Sequence, residues 1–423
     1  MPLNYQSAWV LTAAALLGMP AFAADDPIDP LSLQSAAPED VAAKATGERR
    51  FVEGALGSRA RSRSLPTQAT TRLTLDVALQ FKLASQWRAT LSNRLDVLDP
   101  PGLTNDHRVL NSLREAYVGW SAEDGGTLLE AGRVNVRNGP AYGYNPTDFL
   151  RAGALRSVTT YDPVALRENR LGVFMLRAQR SLGSQTYALV LAPKLANKPG
   201  DGSFDLDLGS TNNANRVLGS WSGKFSERIN AQALFYHEQG SGAQFGVNAT
   251  ALLGDSLVAY AEWSRARDVK LIKKLAASTT KVGGQRWASG LTLALPSKTS
   301  LTLEFGHNGF GLDESEWRSA SFAGRESFAQ LLGSSQSRQD QFSRQAWTFH
   351  ASKQSAIWRS LDLSALLRYN VSDRSYLGWI EARHHWQGAD VAVQLHRTGG
   401  KSLSEYGVLV ASSSVQALVT WYF

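Results

Sequence analysis

The sequence predicts an all-β fold, a single closed antiparallel transmembrane β-barrel of about 18 strands, with 16 as the alternative. Three observations predict it: apolar residues recur with a period of two, short and long connections alternate, and the chain ends on an aromatic strand. From Arg72 to Leu83 the apolar side chains are Leu73, Leu75, Val77, Leu79, Phe81 and Leu83, separated by Arg72, Thr74, Asp76, Ala78, Gln80 and Lys82. A helix cannot alternate in this way, whereas a strand with one apolar and one wet face does.

Taken in order, the first element is a secretory signal over residues 1–24. Ala8 to Leu17 is uncharged and apolar, and Ala21-Phe22-Ala23 is a small-residue cleavage site, although no Lys or Arg precedes it. Residues 25–47 form a short periplasmic segment and 48–423 the barrel. Strands are expected near 48–60, 72–83, 87–97, 108–120, 127–137, 170–180, 185–193, 216–225 and 228–238. They continue near 243–253, 256–267, 284–294, 299–309, 344–353, 359–371, 374–386, 389–398 and 404–423. Connections at 84–86, 121–126, 181–184, 226–227, 254–255 and 295–298 are short. Those at 98–107, 138–169, 194–215, 268–283 and 310–343 are long and fall on the opposite parity. Bacterial barrels show this asymmetry, with short periplasmic turns and long external loops.

The last strand is expected as one unbroken run, because Gly407, Leu409, Ala411, Val415, Ala417, Val419, Trp421 and Phe423 keep to one face. Val419, Trp421 and the terminal Phe423 resemble the C-terminal strand of bacterial outer-membrane proteins. That resemblance implies recognition by the barrel-assembly machinery and contact with outer-membrane lipid and lipopolysaccharide in a Gram-negative cell. Trp87, Trp120, Trp221, Trp263, Trp287, Trp379 and Trp386 mostly fall near the expected strand ends, a placement that girdles at the two interfaces explain.

Composition removes other classes. The chain has no cysteine, so disulfides and thiolate chemistry are excluded. Net charge is +7, but the cations are scattered, which argues against a nucleic-acid partner. With only residues 25–47 ahead of the barrel, a plugged active transporter has no room for its plug. The seven histidines match no catalytic or metal motif, and His384 and His385 point to opposite faces of a strand. No enzyme activity, cofactor or metal is expected.

The wet faces carry Arg72, Asp76, Lys82, Arg88, Arg94, Asp96, Arg133, Arg137, Arg216, Lys224, Glu262, Arg286, Glu304, Asp362 and Arg368. Cations outnumber anions there, which favours anions in a narrow pore. The connection 138–169 is too long for a passive link. Its Tyr142, Tyr144, Asp148 and Arg151 are candidates for a constriction folded into the lumen, with Arg94, Arg133 and Arg137 beside them. Arg88, Arg216, Arg286 and Arg368 complete the candidate pore lining.

Leu113-Arg114-Glu115-Ala116-Tyr117-Val118, Ala131-Gly132-Arg133 and Asn145-Pro146-Thr147-Asp148 together resemble a pattern of alginate-export-type barrels and their relatives of undefined substrate. In that pattern a Trp-Gly pair follows the Gly-Arg strand; here Asn138-Gly139 follows Arg137. The resemblance implies an 18-stranded, monomeric channel with an electropositive lumen. The expected function is passive diffusion of small polar or anionic solutes through a porin-like channel. Export of an acidic polysaccharide is the alternative, and a barrel enzyme or a structural or adhesive barrel comes third. The segment 310–343, rich in Ser, Gln and Arg, suits either a lumen filler or a flexible external loop.

Overall fold

The computed structural model describes residues 48–62, 65–101, 107–409 and 411–423. The expected signal and periplasmic segments lie outside these residues. Eighteen strands form one antiparallel sheet whose last strand pairs with its first, so the barrel is closed. They are β1 (Arg49–Ser62), β2 (Leu65–Lys82), β3 (Trp87–Asp99), β4 (Val109–Ser121), β5 (Thr127–Val134) and β6 (Val173–Leu182). Next come β7 (Gln185–Ala192), β8 (Arg216–Ser226), β9 (Ile229–Glu238), β10 (Gly242–Leu253), β11 (Leu257–Asp268) and β12 (Val282–Leu295). The ring ends with β13 (Thr299–Asn308), β14 (Gln345–Lys353), β15 (Leu361–Asn370), β16 (Tyr376–Trp386), β17 (Ala389–Gly399) and β18 (Ser413–Tyr422).

The period of two becomes two surfaces. On β2, Leu73 and Leu75 point outward and are exposed, while Arg72, Thr74 and Asp76 point inward and are buried. Closure leaves the ring without a free edge strand, the arrangement a barrel in hydrocarbon needs because no water is present there. The closing seam runs from Phe51 opposite Tyr422 to Ala60 opposite Ser413. Val419, Trp421 and Phe423 face outward along it. Trp87, Trp263 and Trp386 are also exposed outward, but Trp379 is not a girdle residue: it points inward and is buried with Leu366, Leu377 and Tyr406.

The sequence places some elements incorrectly. β18 begins at Ser413, and residues 400–409 form an inward loop instead of extending the strand. Glu405 N–H donates to Asp373 (2.6 Å) and Asn370 donates to the Glu405 carboxylate (2.8 Å), which curls this segment against the β15–β16 connection. The wet segment between β13 and β14 is folded as two helices. The loops carry α1 (Pro163–Glu168), α2 (Leu208–Thr211), α3 (Glu314–Phe322) and α4 (Arg325–Ser337). A capping box of Asp313 and Glu316 starts α3. Phe328, Leu331 and Leu332 on α4 then share a core with Trp317 and Phe342.

β5 stops short of the expected 127–137. It has 8 residues, whereas a tilted strand needs about 9–11 to cross the hydrocarbon. Beyond Val134 the chain turns inward, and the β7–β8 loop covers the vacated upper edge of β4. Asn111 N–H donates to Ser203 O (2.8 Å), and Gly172 N–H donates to Arg114 O (2.7 Å). Phe204 and Leu206 in this patch are exposed and apolar.

Candidate functional site: a loop pinned across the lumen

Residues 135–172, between β5 and β6, leave the wall and reach strands on the far side of the ring. Two inward-facing carboxylates hold them there. Glu304 on β13 accepts backbone N–H groups from Tyr142 (2.6 Å), Gly143 (3.1 Å) and Tyr144 (2.8 Å), together with the Tyr260 hydroxyl (2.9 Å). Glu262 on β11 accepts the Ala141 N–H (2.7 Å), the Thr147 hydroxyl (2.8 Å) and the Asn145 amide (3.1 Å). Both carboxylates are buried. A buried carboxylate is stable only when its lone pairs are filled, and the loop's main chain fills them. β13 stands eight strands from β5 in a ring of eighteen, so the loop crosses close to a diameter.

Glycine makes the approach possible. Gly139 has φ +86°, and an added Cβ would lie 2.2 Å from a Glu262 oxygen. At Gly143 a Cβ would meet the Thr348 hydroxyl at 2.5 Å.

The returning half of the loop locks onto the outgoing half and onto the opposite wall. Asp162 caps α1 and accepts the Tyr142 hydroxyl (3.1 Å). Burial pushes the Tyr142 phenol above its ordinary value, and the Asp162 carboxylate adds to this. Arg167 donates to the carbonyls of Asn138 (3.1 Å) and Gly139 (3.2 Å), and Arg170 pairs with Asp148 (2.7 Å). Tyr161 stacks on His396 at 4.0 Å, and Tyr142 lies against His350 at 4.4 Å. Arg72 and Arg94 both donate to Thr159, at its carbonyl and hydroxyl respectively.

Those two arginines belong to an ion-paired ladder on β1–β4. Arg114 grips Asp76 at 2.7 Å, Arg94 pairs with Asp96 at 3.1 Å and Arg72 with Glu53 at 2.5 Å. Arg49 reaches Asp76 (3.4 Å) and Glu168 of the loop (3.6 Å). Below the loop remains a cavity of about 760 Å³ bounded by β1–β3, by β11–β18 and by the β12–β13 turn. Pro296 and Lys298 of that turn and Tyr422 at the chain end place it on the side of the short turns. Its lining carries six cations (Arg49, Arg72, Arg94, Arg167, Lys298, Arg383) and five carboxylates (Glu53, Asp76, Asp162, Glu168, Glu381).

Outer-membrane porins share this architecture. OccAB1 of Acinetobacter baumannii superposes with a TM-score of 0.57 at 9% identity, over 89% of this chain and 96% of that one. OccK8 (OprE) of Pseudomonas aeruginosa gives 0.52 at 8% identity, over 89% and 97%. OpdL of the same organism gives 0.52 at 11%, over 89% and 98%. The chain has their fold. No family model matches the sequence, and no curated protein matches it. At such identities the likeness is one of fold alone.

Of the residues singled out by sequence, Arg94 and Tyr142 line the cavity. Tyr144, Arg151 and Arg286 instead converge on Asp340, between α4 and β14: the Tyr144 hydroxyl lies at 2.6 Å, Arg151 at 3.2 Å and Arg286 at 3.1 Å. Asp148 holds Arg170. Arg133 is fully buried and donates to the carbonyls of Gly172 (2.9 Å) and Leu206 (2.6 Å), fastening the patch beside β4. Arg216 fastens β8 to Glu238 (2.9 Å) and to the Thr211 carbonyl. Arg88 is exposed at the short-turn end of β3, bonded to Ser121. Arg137 is half-buried in the loop just beyond β5. Arg368 is half-buried on β15. Glu262, Glu304 and Asp340 are the anchors, a role the sequence alone does not assign to them. The first two were visible as acids on the inward face of clean strands; no sequence pattern marks Asp340.

Proposed function

We propose that this protein is an outer-membrane channel of a Gram-negative bacterium through which small polar solutes, anionic ones included, diffuse passively. The carrying observation is the loop pinned across the lumen by Glu262 and Glu304, with a solute-sized cavity beneath it. A wide barrel encloses an aqueous passage, and a loop held at mid-lumen narrows that passage to a filter. The ladder on β1–β4 supplies guanidinium groups along the route, each closed in an ion pair. Six cations against five carboxylates give the cavity a slight positive bias, which supports weak anion preference. The alginate-export-type reading requires a polymer to displace a loop tied at both carboxylates, so it stands second. Lipid, lipopolysaccharide and the assembly machinery are the expected partners of the outer face and of Val419, Trp421 and Phe423.

Planar-bilayer conductance of the refolded barrel tests this reading, with reversal potential taken under a KCl gradient. Steady conductance with weak chloride preference is expected. A cation preference removes the anionic part of the proposal, and a folded barrel without conductance overturns the channel.

A further inference from the structure

The cavity beneath the loop has two chemically different walls, and the difference specifies a solute. One wall, β1–β3 with β16, holds ion-paired charges. The other, β12–β15, contributes hydroxyls: Thr292, Thr302, Ser352 and Ser364 line it, and among its described lining residues no strand position is acidic, lysine or arginine. Thr292 and Thr302 already bond to each other at 2.9 Å, which leaves one hydroxyl hydrogen and the remaining lone pairs for the cavity contents.

Aromatic rings complete the surface. Tyr142 covers the hydroxyl wall from above, packed on His350 at 4.4 Å. Phe51 and Tyr422 form an edge-to-face pair at 5.9 Å near the open end, both partly exposed. At the junction of the two walls sits Trp379, 4% exposed, whose indole N–H has no hydrogen-bond partner among the described residues. A buried donor left unpaired costs free energy, and a solute oxygen or a water it holds removes that cost.

An inorganic anion could take only the hydrogens of the hydroxyl wall, leaving its oxygens and the aromatic rings unused, and an apolar solute would strand it. A molecule with many hydroxyls and apolar C–H faces uses all three components: hydroxyls on β12–β15, planar paired groups on β1–β3 and rings for stacking. We infer that the cavity is a binding stop for a carbohydrate of one or two rings, entered from the side of the short turns. The inference rests on the channel reading and narrows it to a solute class. A cavity of about 760 Å³ falls within the range of small-molecule sites.

The test is current block in single-channel recordings of the full barrel, with maltose added to either side and citrate as the anionic comparison. Maltose added from the short-turn side is expected to reduce the KCl current saturably, and more effectively than from the other side. Trp379→Phe, which keeps a ring and removes the donor, should raise the half-blocking concentration about three- to tenfold, the worth of one neutral hydrogen bond. Heat-modifiable migration verifies that the variant is folded. Persistent KCl current without saturable maltose block, or with block by citrate alone, overturns the carbohydrate site and leaves the channel intact. Maltose block that ignores Trp379→Phe overturns the placement of the site. Absence of KCl current from the folded barrel overturns both.

Discussion

Replacing Glu304 with alanine tests whether the loop is held by main-chain hydrogen bonds to a buried carboxylate. The substitution strips an acceptor from three backbone N–H groups and from the Tyr260 hydroxyl. Hydrogen bonds to a charged group contribute about 1.5–3 kcal/mol each. Water entering the vacated space returns much of that, leaving a net loss of about 3–4 kcal/mol at the loop tip. Since about 1.4 kcal/mol is a factor of ten, the tip should populate its detached state on the order of a hundred to a thousand times more often. Glu262 still holds Ala141 and Thr147, so the loop flickers instead of leaving. Single-channel recordings should show frequent transitions to a larger conductance, and proteolysis within 138–169 should accelerate. A Glu304→Ala channel with the quiet current and protease resistance of the parent would refute the anchoring argument.

Four further expectations follow from the same geometry. Arg133→Ala should leave ion selectivity unchanged and lower the temperature at which the barrel loses its heat-modifiable form, because Arg133 fastens the patch beside β4. Gly139→Ala should displace the loop from Glu262, read as higher conductance, since its Cβ has no room at φ +86°. Burial pushes the Asp340 carboxyl up, but Arg286, Arg151 and Arg338 outweigh it and hold it well below the usual carboxylate range. A depressed pKa stabilises above the unfolded value, so this tie is intact above about pH 4 and is lost as pH falls further, which should add noise to the current in acid; Asp340→Asn should show that noise already at neutral pH and remove its pH dependence. Burial raises Glu405 to about 7, Arg368 opposing and Asp373 adding. A raised carboxyl favours the folded loop when protonated, so protease access to 400–409 should grow as pH rises from about 5 to 8, and Glu405→Gln should flatten that dependence.

Much of the barrel is legible in the sequence because a wall with one wet and one apolar face imposes a period of two on its strands. The parity of the loops is legible for a related reason, since turns on one side are short and loops on the other are free to grow. Inside the lumen the length of 138–169 is legible as an inward loop, but its anchors are not, because no solvent boundary writes a pattern there. Leu409 and Ala411 keep the phase of a strand, yet residues 400–409 curl because Asp373 and Asn370 offer better partners than an extended ladder. α3 and α4 hide behind their serines, although Asp313 and Glu316 carry the start signal and Phe328, Leu331 and Leu332 have helical spacing. Arg133 and Arg286 look like pore residues by strand phase, but their partners, Leu206 and Asp340, lie far off in sequence. Phase reveals which way a side chain points, not whether a loop has arrived to meet it.

Glu262 and Glu304 grip the loop chiefly by its amide hydrogens, which every residue except proline possesses. Holding and filtering are thereby assigned to different atoms of the same segment. Tyr142, which lines the cavity, can exchange its side chain without surrendering the amide bond that suspends it, while Gly139 and Gly143 must stay small. A barrel built this way can change its clientele by point substitution at the filter, keeping its wall and its suspension intact.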